Sequence, residues 1–226
     1  MTAVLDAQAV RVAILRACTA LEAETARLSE LDAAIGDGDM GLSIANGCRA
    51  IREQLPSSGA TITTLMSEAG LIFSEAAGAT IGALVGTSLI RAGKAARDKE
   101  TLDLTDLSAM LAAAEQGIAE RGKAQAGDKT LLDAIIPARQ ALENSAADGN
   151  PAEEAISAML RAAGEGVNAT RDMVAKFGRG RWLGERSRGH EDAGATAAYL
   201  LLISIAGRER SGRTEGHHGK TGADEG

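Results

Sequence analysis

One apolar stripe sets the terms for the chain. Val10, Ile14, Ala17, Leu21, Leu28, Leu31 and Ile35 follow one another in steps of three, four or seven residues. That spacing keeps side chains on one face of an α-helix but scatters them over both faces of a strand. Ala, Leu, Glu and Arg dominate the rest and runs of β-branched residues are scarce, so helix is expected almost throughout. After the stripe stops at Gly36, helices are predicted over 42–55, 63–77, the small-residue stretch that follows Gly78, and 103–121. Another opens at Asp128 or just after, with Asp128 as N-cap and Pro137 as a kink or an end. Pro151 then starts a helix over 152–177, and the last covers 196–206. Seven or eight helices with short connections, no strand and no linker of distinct composition predict an all-α single domain over 1–207. Residues 208–226 are polar and glycine-rich and are expected to be a disordered tail, in which His217 and His218 carry no metal.

Several functions are excluded early. The chain holds only four aromatic residues, Phe73, Phe177, Trp182 and Tyr199, too few for a platform on which single-stranded nucleic acid could stack. Its net charge of -7 argues against any nucleic-acid partner, so phosphate must be met by a local arrangement or a metal. Cys18 and Cys48 read as core residues rather than a staple. No signal-peptide pattern and no apolar run of 18 residues is present, and a cytoplasmic protein without a membrane partner is expected.

Three connections between helices are chemically unusual. In LDAAIGDGDMG, Asp32, Asp37 and Asp39 crowd three carboxylates into eight residues. Such like charges repel unless a cation joins them, and hard oxygen ligands suit Mg²⁺ or Ca²⁺. An EF-hand does not fit, because position 12 counted from Asp37 is Cys48. The bland alternative is that Asp37 or Asp39 only caps the next helix. In GATIG, glycines and Thr80 can cradle phosphate at a helix start, while Gly78, Gly82 and Gly86 equally suit close approach of a neighbouring backbone. The third connection, GRGRWLGERSRGHEDAGA, supplies Arg181, Arg186, Arg188 and His190; it is either a solvated basic loop or a phosphate contact. Together the three suggest a nucleotide site of neither Walker nor protein-kinase type.

The ordered motifs LDAAIGDGDMG, GATIGALVGTSL, AGDKTLLDAIIPA and WLGERSRGHEDAGATAA resemble the L subunit of dihydroxyacetone kinase, over roughly residues 5–206. The resemblance implies an eight-helix antiparallel closed barrel with a nucleotide site at one end. It implies that Asp32, Asp37 and Asp39 hold two Mg²⁺ ions bridging the phosphates of ADP or ATP. By the same resemblance Met40, Gly41, Leu42, Ser43, Ala79 and Thr80 contact the phosphates. Gly122, Leu131, Arg186, Asp192, Ala193 and Gly194 surround the nucleotide, with Arg186 as the catalytic cation. The ketose, dihydroxyacetone or an erythrulose-like sugar, would sit on a separate K subunit. The donor is either ATP or a phosphocarrier subunit of the sugar phosphotransferase system, and a homodimer is left open. The chain departs from the family in Met40 for a histidine, Ile81 for a small polar residue and Ala193 in DAG for DPG. The competing reading is a non-catalytic, nucleotide-binding regulatory protein of the same fold.

Overall fold

The computed structural model describes residues 5–208. The first stripe forms two helices, α1 (Ala7–Ala23) and α2 (Thr25–Ile35), which meet at Glu24 (φ -95°, ψ 9°). Leu21 and Leu28 on either side of the break are both buried, so the bend leaves the stripe facing inward. There follow α3 (Met40–Gln54), α4 (Ile62–Ala77), α5 (Ala79–Ala95), α6 (Leu104–Gly122), α7 (Leu132–Ala147), α8 (Ala152–Ala169) and α9 (Ala193–Ile205). Side-chain oxygens start several of them. Asp6 accepts from the Ala9 N–H, Thr61 from Thr64 and Asp192 from Ala195, and Asp103 forms a capping box with Asp106.

With α1 and α2 counted as one bent member, eight helices touch in a closed circuit, α1, α3, α4, α5, α6, α7, α8, α9 and back to α1. Ring neighbours run antiparallel. Arg11 of α1 donates to the Pro56 carbonyl beyond the end of α3, and Arg16 donates to the Ser204 and Ile205 carbonyls at the end of α9. At the other end of the same pair, Arg27 of α2 meets Glu191, just ahead of α9. Leu28, Ile62, Leu65, Leu102, Ile118, Leu132 and Leu142 fill the interior. This is the closed antiparallel barrel that the resemblance implies.

The elements depart from expectation where tertiary bonds compete with the helix. A short antiparallel bridge pairs β1 (Leu5–Asp6) with β2 (Thr101–Leu102), although no strand was expected. The seventh helix starts at Leu132, not near Asp128. The buried Asp128 carboxylate instead accepts from the Gln125 N–H and from Lys176, while Asp133 accepts from Gly127 and Thr130. Pro137 neither ends α7 nor stops it short of Ala147. A proline cannot donate to the carbonyl four residues back, and Gly166 of α8 packs directly against that Asp133 carbonyl, where a Cβ would lie 2.1 Å away. The next helix ends at Ala169, well before Phe177, because the Thr170 and Met173 carbonyls turn toward Lys129. The last begins at Ala193 rather than Thr196.

Alternation of direction has a consequence for function. The connections 36–39, 78, 123–131 and 170–192 all fall at one end of the ring, and 55–61, 96–103 and 148–151 at the other. All four sequence motifs therefore share an end. Among the described residues, no helix is long and apolar enough to cross a membrane. Apart from Arg208, the expected tail with His217 and His218 lies outside the described residues.

Candidate functional site

The turn from α2 to α3 is shaped by its glycines. A Cβ on Gly36 would lie 2.6 Å from Asp32 Oδ1, Gly38 has φ 78°, and a Cβ on Gly41 would lie 2.2 Å from the Thr25 carbonyl of α2. These allowances fold the chain back on itself within four residues. As a result one carboxylate oxygen from each of Asp32, Asp37 and Asp39 lies within 4.8 Å of the others. Asp32 is half-buried and its carboxyl is pushed above the usual range. Burial is the main cause and the charges of Asp37 and Asp39 add to it, against the N–H groups of Met40 and Gly38. Asp39 heads α3 but makes no side-chain cap hydrogen bond, so its carboxylate is not consumed by capping.

These features fit a hard divalent cation. The donors are all carboxylate oxygens, they converge, and like charges are held together at a cost that a cation removes. Among the described residues the positive charge paired with one of them is Arg179, whose Nε lies 2.5 Å from Asp37 Oδ2. Arg186, expected to be the arginine of the site, is exposed in the 3-10 segment Arg179–Ser187, and no ion pair joins it to the aspartates among the described residues. Gly184, with φ 54° and ψ -129°, breaks that segment between the two arginines.

The other expected residues distribute around the same end. Met40 is half-buried on the core, and its N–H donates to Asp32. Gly41 is buried against α2, Leu42 is 60% exposed, and the Ser43 N–H is already bonded to the Asp39 carbonyl. Ala79 and Thr80 form the first turn of α5, with Thr80 exposed. Gly78 before them adopts φ 59° and ψ -162°, a backbone suited to glycine, and makes the whole α4–α5 connection in one residue. Gly82 and Gly86 instead face α4, where added Cβ atoms would meet the Ser74 and Gly70 carbonyls. The choice left open between ligand and backbone is thus backbone for these two. Gly122 ends α6 against Leu84. Leu131, just ahead of α7, is buried beside Gly194 of α9, and Ala193 is buried too. Asp192 caps α9, and burial pushes its carboxyl up to about 7, with Asp133 and Asp32 adding and the Ala195 N–H and Lys129 opposing.

Two charged residues of AGDKT carry more than their local sequence indicates, which makes Asp128 a cap and gives Lys129 no role. Both are buried. Burial opposes ionisation of Asp128, but the Lys176 ammonium and the Gln125 N–H hold it below the usual range. Lys129, with φ 60°, donates to the carbonyls of Thr170 (2.8 Å), Ser187 (2.8 Å) and His190 (2.7 Å). Desolvation lowers its pKa. The sequence signal for them is Asp-Lys-Thr after Gly127, a pattern that by itself is common.

Residues 34–207 match the DAK2 domain family. The ADP-binding subunit DhaL of a PEP-dependent dihydroxyacetone kinase of Listeria innocua is 33% identical over 188 residues, covering 82% of this chain and 87% of the relative. The corresponding Escherichia coli subunit is 34% identical over 184 residues, covering 81% and 88%. An L-erythrulose 1-kinase of Mycolicibacterium smegmatis is 37% identical over 80% of this chain but only 32% of its own length. The crystal structure of the C. freundii dihydroxyacetone kinase in complex with AMP-PNP and Mg²⁺ superposes with a TM-score of 0.67 at 25% identity, covering 88% of this chain and 33% of that one. The chain spans about a third of these two longer kinases.

Proposed function

The chain belongs to the DAK2 domain family, and from that premise we propose that it is the nucleotide-binding subunit of a ketose kinase, working with a K subunit that carries the sugar. The observation that carries this reading is the convergence of Asp32, Asp37 and Asp39 beside Arg179, at the ring end that all four motif connections share. The working unit is residues 1–207, and the three aspartates are the ligands of two Mg²⁺ ions. Mg²⁺ held there would neutralise phosphate charge and orient the transferred group.

The chain's own groups do the rest. Helix geometry leaves the Gly41 and Leu42 N–H groups at the start of α3, and those of Ala79 and Thr80 at the start of α5, without intrahelical acceptors, so they can donate to phosphate oxygens. Gly122, Leu131 and Gly194 are the residues that the resemblance sets around the base; Leu131 and Gly194 pack against each other and Gly122 against Leu84, so they would shape that end of the site from beneath. Arg179 takes the part that the resemblance gives to Arg186: its guanidinium stands at the carboxylates and can move onto the charge that develops on the transferred phosphoryl. No general base is needed in this chain, because the accepting hydroxyl lies on the partner. A thioether cannot donate the hydrogen bond a histidine would supply, so Met40 serves through its backbone N–H to Asp32 and its packing.

Relatives of two kinds bear on the substrate. The DhaL subunits belong to PEP-dependent dihydroxyacetone kinases, and the longer relatives include erythrulose kinases. Dihydroxyacetone with a phosphocarrier donor, and erythrulose with ATP, are the two pairings to assay. Calorimetry of ADP and ATP with and without Mg²⁺, on the wild type and on Asp37→Ala/Asp39→Ala, tests the site. Expected is Mg²⁺-dependent binding that the double variant loses by at least about a hundredfold, the scale of two charge-assisted contacts. A folded wild type that binds neither nucleotide overturns the reading. Binding without turnover beside a K subunit points to the regulatory alternative.

A further inference from the structure

Lys129 is 2% exposed, yet among the described residues no carboxylate pairs with it. An ammonium taken out of water without a counter-ion is expensive unless its three donors are satisfied. Here they are, by the carbonyl oxygens of Thr170, Ser187 and His190 at 2.7–2.8 Å, with Met173 more distant at 3.4 Å. Those carbonyls come from both flanks of the long α8–α9 connection, and between them the chain loops out through Arg179. Its neighbour Asp128 holds the same connection by accepting from the Lys176 side chain at 2.7 Å and, through its carbonyl, from the Lys176 N–H. Further bonds, from the Ala175 N–H to Ser187 Oγ and from the Gly189 N–H to the Arg171 carbonyl, draw the two flanks together. By contrast, the Arg179–Asp37 pair is 69% and 35% exposed at its side chains. Exposed ion pairs are too weak to hold a loop of this length in place. The placement of Arg179 therefore has to come from the backbone beneath it.

We propose that Lys129 is a positioning residue, which clamps the 170–192 connection through its carbonyl cage and thereby seats Arg179 on Asp37. The proposal rests on the reading of the aspartates as the metal site. Seated there, Arg179 competes with a divalent cation for Asp37 while no nucleotide is present, and supplies a phosphate contact once one is. Loss of the clamp then acts in opposite directions on two ligands, whereas a site that has merely loosened binds both more weakly.

The test is Mn²⁺ binding without nucleotide, followed by Mg²⁺–ADP binding, on the full chain carrying Lys129→Met, Arg179→Gln or both. For Lys129→Met, Mn²⁺ alone is expected to bind roughly two- to fivefold more tightly, the range of one exposed ion pair. ADP is expected to bind roughly tenfold more weakly, the scale of one charge-assisted hydrogen bond. Arg179→Gln should reproduce both shifts, and the double variant should add nothing to either. Hydrogen exchange at Ala175 and Gly189 should quicken in Lys129→Met but not in Arg179→Gln. If Lys129→Met does not fold, Ser187→Ala cuts one cross-bond of the same clamp without altering a buried charge, and should shift the two affinities in the same opposed directions by less. Unchanged or weaker Mn²⁺ binding in a folded clamp variant overturns the proposal, as do shifts that multiply in the double variant. A wild type that binds no Mn²⁺ overturns the aspartate reading itself, and the proposal with it.

Discussion

Asp192 shows how much of the site is decided residue by residue. Its side chain caps α9 while Asp133 and Asp32 lie near enough to disfavour its charge, and burial pushes its carboxyl up to about 7. Between pH 3.8 and about 7 the folded chain keeps a proton that the unfolded chain has lost. The Asp192 contribution to stability therefore falls as pH rises through that window and levels off above it. Asp192→Asn retains a capping oxygen and removes the charge. It should match the wild type near pH 4 and exceed it at pH 7 by about 1–2 kcal/mol in urea denaturation, since partial solvent access screens the charge. A difference between wild type and variant that stays flat from pH 4 to 7 would refute this. At the same scale the aspartate cluster was legible in advance, because three carboxylates in eight residues are a local signal. Arg179 was not, because the basic connection offers several arginines and only the fold selects the one that reaches Asp37.

At the scale of elements, α4 and α5 are the most instructive pair. A Cβ on Gly70 would lie 2.7 Å from the Gly86 carbonyl, and one on Gly86 would lie 2.7 Å from the Gly70 carbonyl, so the two backbones touch directly. Farther along, a Cβ on Gly93 would meet Met66 Cβ at 2.7 Å. Each glycine costs a helix roughly 1 kcal/mol relative to alanine, so propensity alone predicts that Gly86→Ala stabilises. The contact predicts the reverse. The nearest atom is a backbone oxygen that cannot rotate aside, so Gly86→Ala should lose about 1–3 kcal/mol net, read as a lower midpoint in thermal or urea unfolding. Helix positions were readable because periodicity and breakers are local. Helix ends were less so: α8 stops at Ala169 because a lysine 41 residues away takes the Thr170 carbonyl, which no local pattern encodes.

For the whole molecule, closure of the ring depends on α9 returning to α1. Arg16 braces that seam by donating to the Ser204 and Ile205 carbonyls, at the end of the ring opposite the aspartates. A cation there also complements the negative end of the α9 dipole. Arg16→Ala should therefore lower stability by about 1–2 kcal/mol while leaving Mg²⁺ and nucleotide affinities unchanged. A parallel loss of nucleotide binding would mean that the two ends are coupled, contrary to this account.

What the sequence by itself determined was what can be read within a turn or two of helix: the all-helical class, the residues facing inward, and the three unusual connections. Resemblance of ordered motifs extended this to the closed barrel and to the expectation of a nucleotide site at one end. Only the tertiary structure decided which charges meet. Alternating helix direction carries connections separated by more than a hundred residues to one end of the ring. Burial there turns Lys129 and Asp128 from apparent loop polar residues into the fastening beneath Arg179. The physical reason is range. Hydrophobic periodicity and turn chemistry act between near neighbours in the chain, whereas desolvation and hydrogen bonding depend on whatever the fold brings within a few ångströms.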